Sequence, residues 1–447
     1  MSVYIKIAGR NLIQARRRSL LVGFALALVT MLLVILMSWS KGLTETMFKS
    51  ATTLSAGHVN VAGFFKAKET DSIPLITGTK KLRSLIEATT PDLDYLIDRR
   101  RGWARVISES SSMNVGLTGI DIGEESRFLT SIQLAKESDY LEGGRDEVLG
   151  DVSKLREPGF VMIFSAQAKR LGVVVGDPLT LTTETMSGSR NTGDAVIAAI
   201  AKDVGYMSNW SVFTGKETIG QLYDLGPDVS GAVQVYLKDP AKSAEVMGHL
   251  ARVLADEGYT LMEHDPQPFW MKFEVVAGED WTGQKLDLTI WSDEVSFLQW
   301  VLNAVDGVSF VLVSILVVII AVGIMNSMWM SVRERTSEVG TLRAIGMSRG
   351  RVLFMFLLEA LMLAFVATVI GSLLGAGFAL AVDAAHIHVP FAAIRAILMS
   401  DTVNFVVGIP QLAIAVGVFT SIAGLAALWP AHMASRMQPV TAIHQAQ

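Results

Sequence analysis

The chain has no cysteine in its 447 residues, which removes disulfides, thiolate nucleophiles and Cys-ligated metals together. That absence fits an oxidising compartment. Acidic residues are missing from the whole stretch before Glu45, although Lys6, Arg10, Arg16, Arg17 and Arg18 lie within it. A phosphate-binding loop is also missing. Gly278 and Gly283 have the right separation, but Gln284 stands where the lysine belongs and no Ser or Thr follows it. Gly215-Lys216 fails the same test, being followed by Glu217 without an upstream glycine. His386-Ile-His388 would set two imidazoles on one side of an extended strand, but no further ligand accompanies them, and a solvated loop accounts for them. A net charge of −5 with no basic tract among aromatics gives nucleic-acid binding no support. No catalytic residue, metal ligand or cofactor is therefore expected on this chain.

What the chain has in excess is apolar surface: 51% of residues are hydrophobic and the mean hydropathy is +0.41. The excess falls in four blocks. Ser19–Ser40 and Gly307–Val332 carry no charge, Val352–Val382 carries only Glu359, and Thr402–Ser435 carries only His432. At 1.5 Å per residue each crosses a hydrocarbon core of about 30 Å. Arg16-Arg17-Arg18 resembles the start of a signal peptide, but the apolar run is too long and no small-x-small site follows Met37-Ser38-Trp39. The expected layout is an N-terminal amphipathic segment 1–18, spans 19–40, 307–332, 352–382 and 403–430, and a tail 431–447.

Lys and Arg near the span ends set the orientation. The N-terminal segment is basic, and the 333–351 loop holds five Arg against two Glu. Both are expected in the cytoplasm. Segment 41–306 holds 26 Lys and Arg against 38 Asp and Glu, so it is expected on the far side, with the 383–402 loop. The fold class is thus an integral membrane protein of four transmembrane α-helices with a large α+β periplasmic domain between spans 1 and 2.

That domain opens on a helix continuing out of the first span as a stalk, with Leu43, Met47, Ala51 and Leu54 on one face. Runs 58–62, 112–120, 178–183 and 232–237 read as strands, and Lys80–Thr89, Ser165–Leu171 and Pro240–Glu257 as helices. Near its end lie Phe269, Trp270, Trp281, Trp291, Phe297 and Trp300. Two readings stand for them: a surface for lipid, acyl chain or cargo at the membrane interface, or ordinary core packing. Trp300, just before a span, suits the first.

Glu359 is an intramembrane carboxylate, which costs about 2.5–3.5 kcal/mol at a span centre. The other spans offer no partner for a proton relay, so a structural contact between the third span and the 333–351 loop is expected. Within that loop, a cap at Thr336 or Ser337 would start a two-turn helix that Gly346 ends. Val339, Leu342 and Ile345 would form its apolar face, flanked by Glu338 and Arg343. Such a helix is too short to be stable alone and suits a groove on a partner, or the membrane surface.

The run from Val332 to Gly346, VRERTSEVGTLRAIG, followed by Phe356-Leu-Leu-Glu-Ala, resembles the signature of the MacB/LolC/FtsX superfamily of ABC transporter permeases. The Arg-led first span, Ser55-Ala-Gly-His-Val-Asn-Val, Gly119-Ile-Asp121 and Ala168–Leu181 resemble the lipoprotein-releasing LolC/LolE branch, while the elbow leans toward MacB-like members. The resemblance implies a permease of the bacterial inner membrane that pairs with a second copy or a paralogue. It implies two cytoplasmic ABC ATPase subunits, which bind ATP and Mg and dock on a coupling helix. On this chain the docking residues would be Glu334, Arg335, Glu338, Val339, Leu342, Arg343, Ile345 and Gly346. The stroke would act on a periplasmic lipoprotein cargo or its chaperone, on an adaptor protein during export of a peptide, toxin or antibiotic, or on a cell-wall hydrolase.

Overall fold

A computed structural model describes residues 2–14, 16–69, 72–185, 188–204, 206–387, 389 and 402–437. The chain divides into two units, one made of Met1–Thr44, Val301–Ile387 and Val403–Gln447, the other of Glu45–Trp300 and His388–Thr402.

Among the described residues four helices are long and apolar enough to cross a membrane: Arg16–Leu54, Gln299–Glu334, Arg349–Ala384 and Ile409–Ser435. A shorter helix, Ser2–Gln14, precedes them. The first long helix is unbroken for 39 residues, about 59 Å at 1.5 Å per residue and so about twice the hydrocarbon thickness. Leu43, Met47, Ala51 and Leu54, assigned to one face from their spacing, are all buried. The fourth helix starts at Ile409, not at 403. Gly408 is extended (φ −121°, ψ 142°), its N–H is taken by Gln411 Oε1 at 2.8 Å, and Pro410 occupies the first turn, which together fix the start. Before it, Phe405 N–H donates to Asp383 Oδ1 and Val406 N–H to the Ser38 carbonyl.

Inside this unit the helices meet through small residues. A Cβ added at Gly371 would strike the Ala27 carbonyl, and one at Gly375 the Met31 carbonyl. In lipid, where apolar surface gains little by leaving the solvent, such close approach is what holds helices together. Leu26, Ile324, Phe356, Ala364, Phe419 and Ala427 form the centre of the bundle. Phe310, Val318 and Ile319 on the second span face outward, as lipid-facing residues do.

The second unit is sheet-rich. Its strands are β1 Val59–Lys66, β2 Ile76–Thr77, β3 Leu93–Ile107, β4 Ser112–Ile120, β5 Phe160–Phe164, β6 Pro178–Glu184, β7 Arg190–Ala201, β8 Ser211–Gly215, β9 Val229–Ser230, β10 Ala232–Leu237 and β11 Gly283–Ile290. Nine form one sheet in the order β11-β1-β10-β3-β4-β8-β5-β7-β6. The 15-residue β3 serves two halves of it. Its beginning pairs with β10, while its end pairs with β4 and also with β6, through Arg105↔Thr182 to Ile107↔Thr180. That second pairing closes β3, β4, β8, β5, β7 and β6 into a ring around Val106, Val115, Ile163, Leu181, Ile197 and Val212. On the open half, helices Thr79–Thr89 and Ser243–Asp256 cover one face, packing Leu82, Ile86, Val246 and Leu250 on Val59, Val61, Val233 and Val235. Alternation along the strands leaves Arg99, Arg101, Gln234 and Tyr236 on the other face.

Candidate functional site

The elbow lies between the second and third long helices. Arg335 leaves helical geometry (φ −114°, ψ 20°), and a new helix runs over Thr336–Ala344. Neither Thr336 nor Ser337 is its cap, contrary to the sequence expectation. The Thr336 hydroxyl turns back to the Val332 and Arg333 carbonyls at 3.0 and 2.9 Å, finishing the preceding helix instead. At the other end Met347 N–H reaches the Leu342 carbonyl and Gly346 N–H the Arg343 carbonyl, a Schellman turn with Gly346 at φ +101°.

The face expected from Val339, Leu342 and Ile345 is divided. Val339 is 1% exposed and packs among the long helices with Val332, Val352 and Phe356, Leu342 is half-buried, and Ile345 is 85% exposed. The reason is angular. At 100° per residue, positions i and i+6 stand about 120° apart, so a helix that presses Val339 inward turns Ile345 outward. The outer surface therefore consists of Ser337, Glu338, Thr341, Ala344, Ile345 and Gly346. Arg343 lies half-buried, and its Nη1 donates to the Met347 carbonyl.

Glu359 ties this element to the bundle. Its carboxylate is 5% exposed and accepts from Arg335 Nη1 at 3.0 Å and Asn11 Nδ2 at 3.3 Å. A desolvated carboxylate is tolerable because it is paired and hydrogen-bonded. Arg335 Nε also lies 3.5 Å from Glu338, and Arg18 of the first long helix meets Glu334 at 2.9 Å. The elbow thus has ionic links to the first and third long helices, and through Asn11 the N-terminal helix shares the second of them.

The other residues singled out from sequence lie in the second unit. Phe269 sits under the Arg101 guanidinium, 4.4 Å from its ring centre, and against Phe273. Trp270 contacts Trp210 and Phe297 edge-on. Both are half-buried and packed, whereas Trp300 is 61% exposed. His386 is not in a strand. It follows the third long helix with φ 45°, and His388 lies outside the described residues. Among the described residues no group of three metal-binding side chains occurs.

One site was not anticipated. The carbonyls at the C-terminal end of the first long helix and of the two residues after it enter the polar face of β3 and β10. Arg99 donates to the Thr53 and Leu54 carbonyls at 3.0–3.2 Å, Arg101 and Gln234 to that of Ser55, and the Tyr236 hydroxyl to those of Thr52 and Ala56. Arg99 is held in turn by Glu125, at 2.7 and 2.8 Å, with both side chains under 5% exposed. Burial acts to lower the Arg99 pKa, and the Glu125 charge outweighs it, so the cation persists. The signal for this site was Arg99-Arg100-Arg101 within a strand, where alternation must turn at least one guanidinium inward. Close by, His58 accepts the Leu237 N–H at Nδ1, 2.9 Å away. Burial, helped by the Arg127 charge, lowers its pKa to about 4. Asp287, bound to Lys272 at 2.8 Å, and the neighbouring Asp293 and Glu294 are shifted upward by burial.

Residues 310–439 match the FtsX-like permease C-terminal family. The chain is 26% identical over 311 residues to the macrolide export ATP-binding/permease protein MacB of Neisseria gonorrhoeae, covering 68% of this chain and 41% of that protein. It therefore spans about two fifths of that relative's length. It is 20% identical over 389 residues to the lipoprotein-releasing system transmembrane protein LolC of Haemophilus influenzae, covering 85% of this chain and 86% of that protein. The periplasmic region of MacB from Actinobacillus actinomycetemcomitans aligns with a TM-score of 0.31 at 10% identity, over 55% of this chain and 94% of that one.

Proposed function

This chain belongs to the MacB/LolC/FtsX-type superfamily of ABC transporter permeases, and we propose that it turns ATP hydrolysis by a separate cytoplasmic ATPase into motion of its large domain. The observation that carries this reading is the elbow. Its outer face, ending in Ile345, is open to a partner, while its inner side is fixed to the bundle by Val339 and by the Arg335–Glu359 pair. A push on Ile345 and its neighbours is thereby delivered to the spans rather than absorbed by a loop. In this reading two ATPase subunits, each holding ATP and Mg, act on a dimer of this chain or on a pair with a paralogue. The chain sits in the bacterial inner membrane with residues 41–306 in the periplasm.

The cargo we assign is a lipoprotein, released toward the outer membrane. The alignment with LolC supports this, since it runs through the large domain and nearly the full length of both chains. Export of a small molecule or peptide is the second reading, supported by the higher identity to MacB over a shorter stretch. The docking test is Ile345→Asp, at a position exposed enough to leave folding intact. The variant should fail to co-purify the ATPase that the native chain captures. Undiminished capture would refute docking at the elbow. Depleting the chain separates the cargoes: lipoproteins stranded in the inner membrane support release, and normal sorting with heightened drug sensitivity supports export.

A further inference from the structure

A groove of about 390 Å³ runs along the outside of the bundle between the first and third spans. Ser19, Gly23 and Met31 form one wall, and Leu363, Val366 and Leu374 the other. Its length along the first helix, Ser19 to Met31, is about 18 Å at 1.5 Å per residue, close to one leaflet of a hydrocarbon core of about 30 Å. The groove is not placed at random along the helix. It begins three residues after Arg16, and Arg16 shares a helical face with Ser19, Leu20 and Gly23. Arg18 is engaged by Glu334. Arg16 and Arg17 are exposed and have no ion-pair partner among the described residues, and Lys6 and Arg10 nearby are in the same condition. Residues 2–44 contain no acidic side chain to satisfy them.

A basic margin alone is a general feature of membrane proteins. Here two exposed arginines lie within one helical turn before the first residue of an apolar slot one leaflet deep, which matches a single amphiphile with an anionic head. We propose that this groove holds one anionic phospholipid of the leaflet on the elbow side, its phosphate on Arg16 and Arg17 and one acyl chain between the spans. Arginine suits the headgroup because its planar fork meets phosphate through two donors. The site is separate from the elbow's docking face and does not depend on the cargo.

The test uses the full chain extracted with its partners in mild detergent. Native mass spectrometry compares retention of phosphatidylglycerol and phosphatidylcholine with matched acyl chains. Each cation near the headgroup is worth about fivefold, so the native chain should prefer phosphatidylglycerol about twenty-five-fold, and R16Q/R17Q should bring the ratio near one. Val366→Trp, on the exposed wall of the slot, should cut retention of phosphatidylglycerol while both arginines remain. Equal retention of the two lipids by the native chain, or an unchanged preference in R16Q/R17Q, overturns the proposal. Full retention by Val366→Trp also overturns it, leaving only a basic surface. Because the chain has no native thiol, Phe24→Cys probes for a rival occupant: cross-linking between two copies in membranes would show that a protein helix fills the groove.

Discussion

The Arg335–Glu359 pair predicts an asymmetry between its two single variants. Arg335→Ala leaves the Glu359 carboxylate, 5% exposed, with the Asn11 amide at 3.3 Å as its remaining hydrogen bond. Uncovering a buried charge in this way costs about 3–5 kcal/mol. Glu359→Gln does less harm. The amide oxygen still accepts from Arg335 and Asn11, and Arg335, 15% exposed, keeps Glu338 at 3.5 Å as well as water. What is lost is the difference between charged and neutral hydrogen bonds, about 1–2 kcal/mol. Arg335→Met combined with Glu359→Leu removes both charges and should lie closer to the native protein than Arg335→Ala does. Thermal and denaturant unfolding of the purified chain, followed by tryptophan fluorescence, should therefore rank Glu359→Gln above Arg335→Ala by about 2 kcal/mol. Equal losses in the two single variants, or a double variant worse than Arg335→Ala, would show that the pair does not carry the load assigned to it.

Three further outcomes are expected. His58 titrates near 4 when folded and near 6.5 when unfolded, so its contribution is complete above pH 6.5 and is lost as pH falls toward 4. At 1.36 kcal/mol per pH unit that amounts to about 3 kcal/mol. His58→Gln should narrow the stability loss between pH 7 and 4.5 by about 2 kcal/mol of this, and matching pH profiles for the two proteins would refute it; Asp287, Asp293 and Glu294 act in the opposite sense but equally in both. Arg99→Met combined with Glu125→Leu should remain folded yet exchange amide hydrogens faster at residues 52–56 than the native chain. Unchanged protection there would mean that the carbonyl contacts do not hold the helix end. Gly346→Ala meets no neighbour within 4 Å, so its cost, about 1–3 kcal/mol from the φ of +101° alone, should appear in the unfolding midpoint, and an unshifted midpoint would contradict it.

Where the structure was legible in advance, the information was local. The strands Ser112–Ile120 and Ala232–Leu237 and the helix Ser165–Leu171 have the limits that alternation and turn residues indicated. Closure of the ring through β3 and β6 was not legible, because those strands are more than 70 residues apart and nothing in either one names its partner. The elbow shows the same limit at smaller scale. Its helix and Gly346 followed from composition, but which residue of the apolar set faced inward depended on Val332, Val352 and Phe356 from neighbouring helices. Arg99 was overlooked because its partner Glu125 and its acceptors Thr53 and Leu54 lie on separate stretches of chain that only the fold brings together.

Ring closure has a consequence for keeping the chain soluble. An open sheet ends in rows of unpaired N–H and C=O groups that invite strands from other molecules. By pairing β6 back onto β3, the nine-stranded sheet leaves β11 as its outer strand, and at β11 the Leu286 N–H and carbonyl are already engaged by Thr260 and Met262. Molecules confined side by side in a membrane meet at high local concentration, where an uncovered strand would template aggregation. The same pairing that builds the barrel thus guards a crowded population against it.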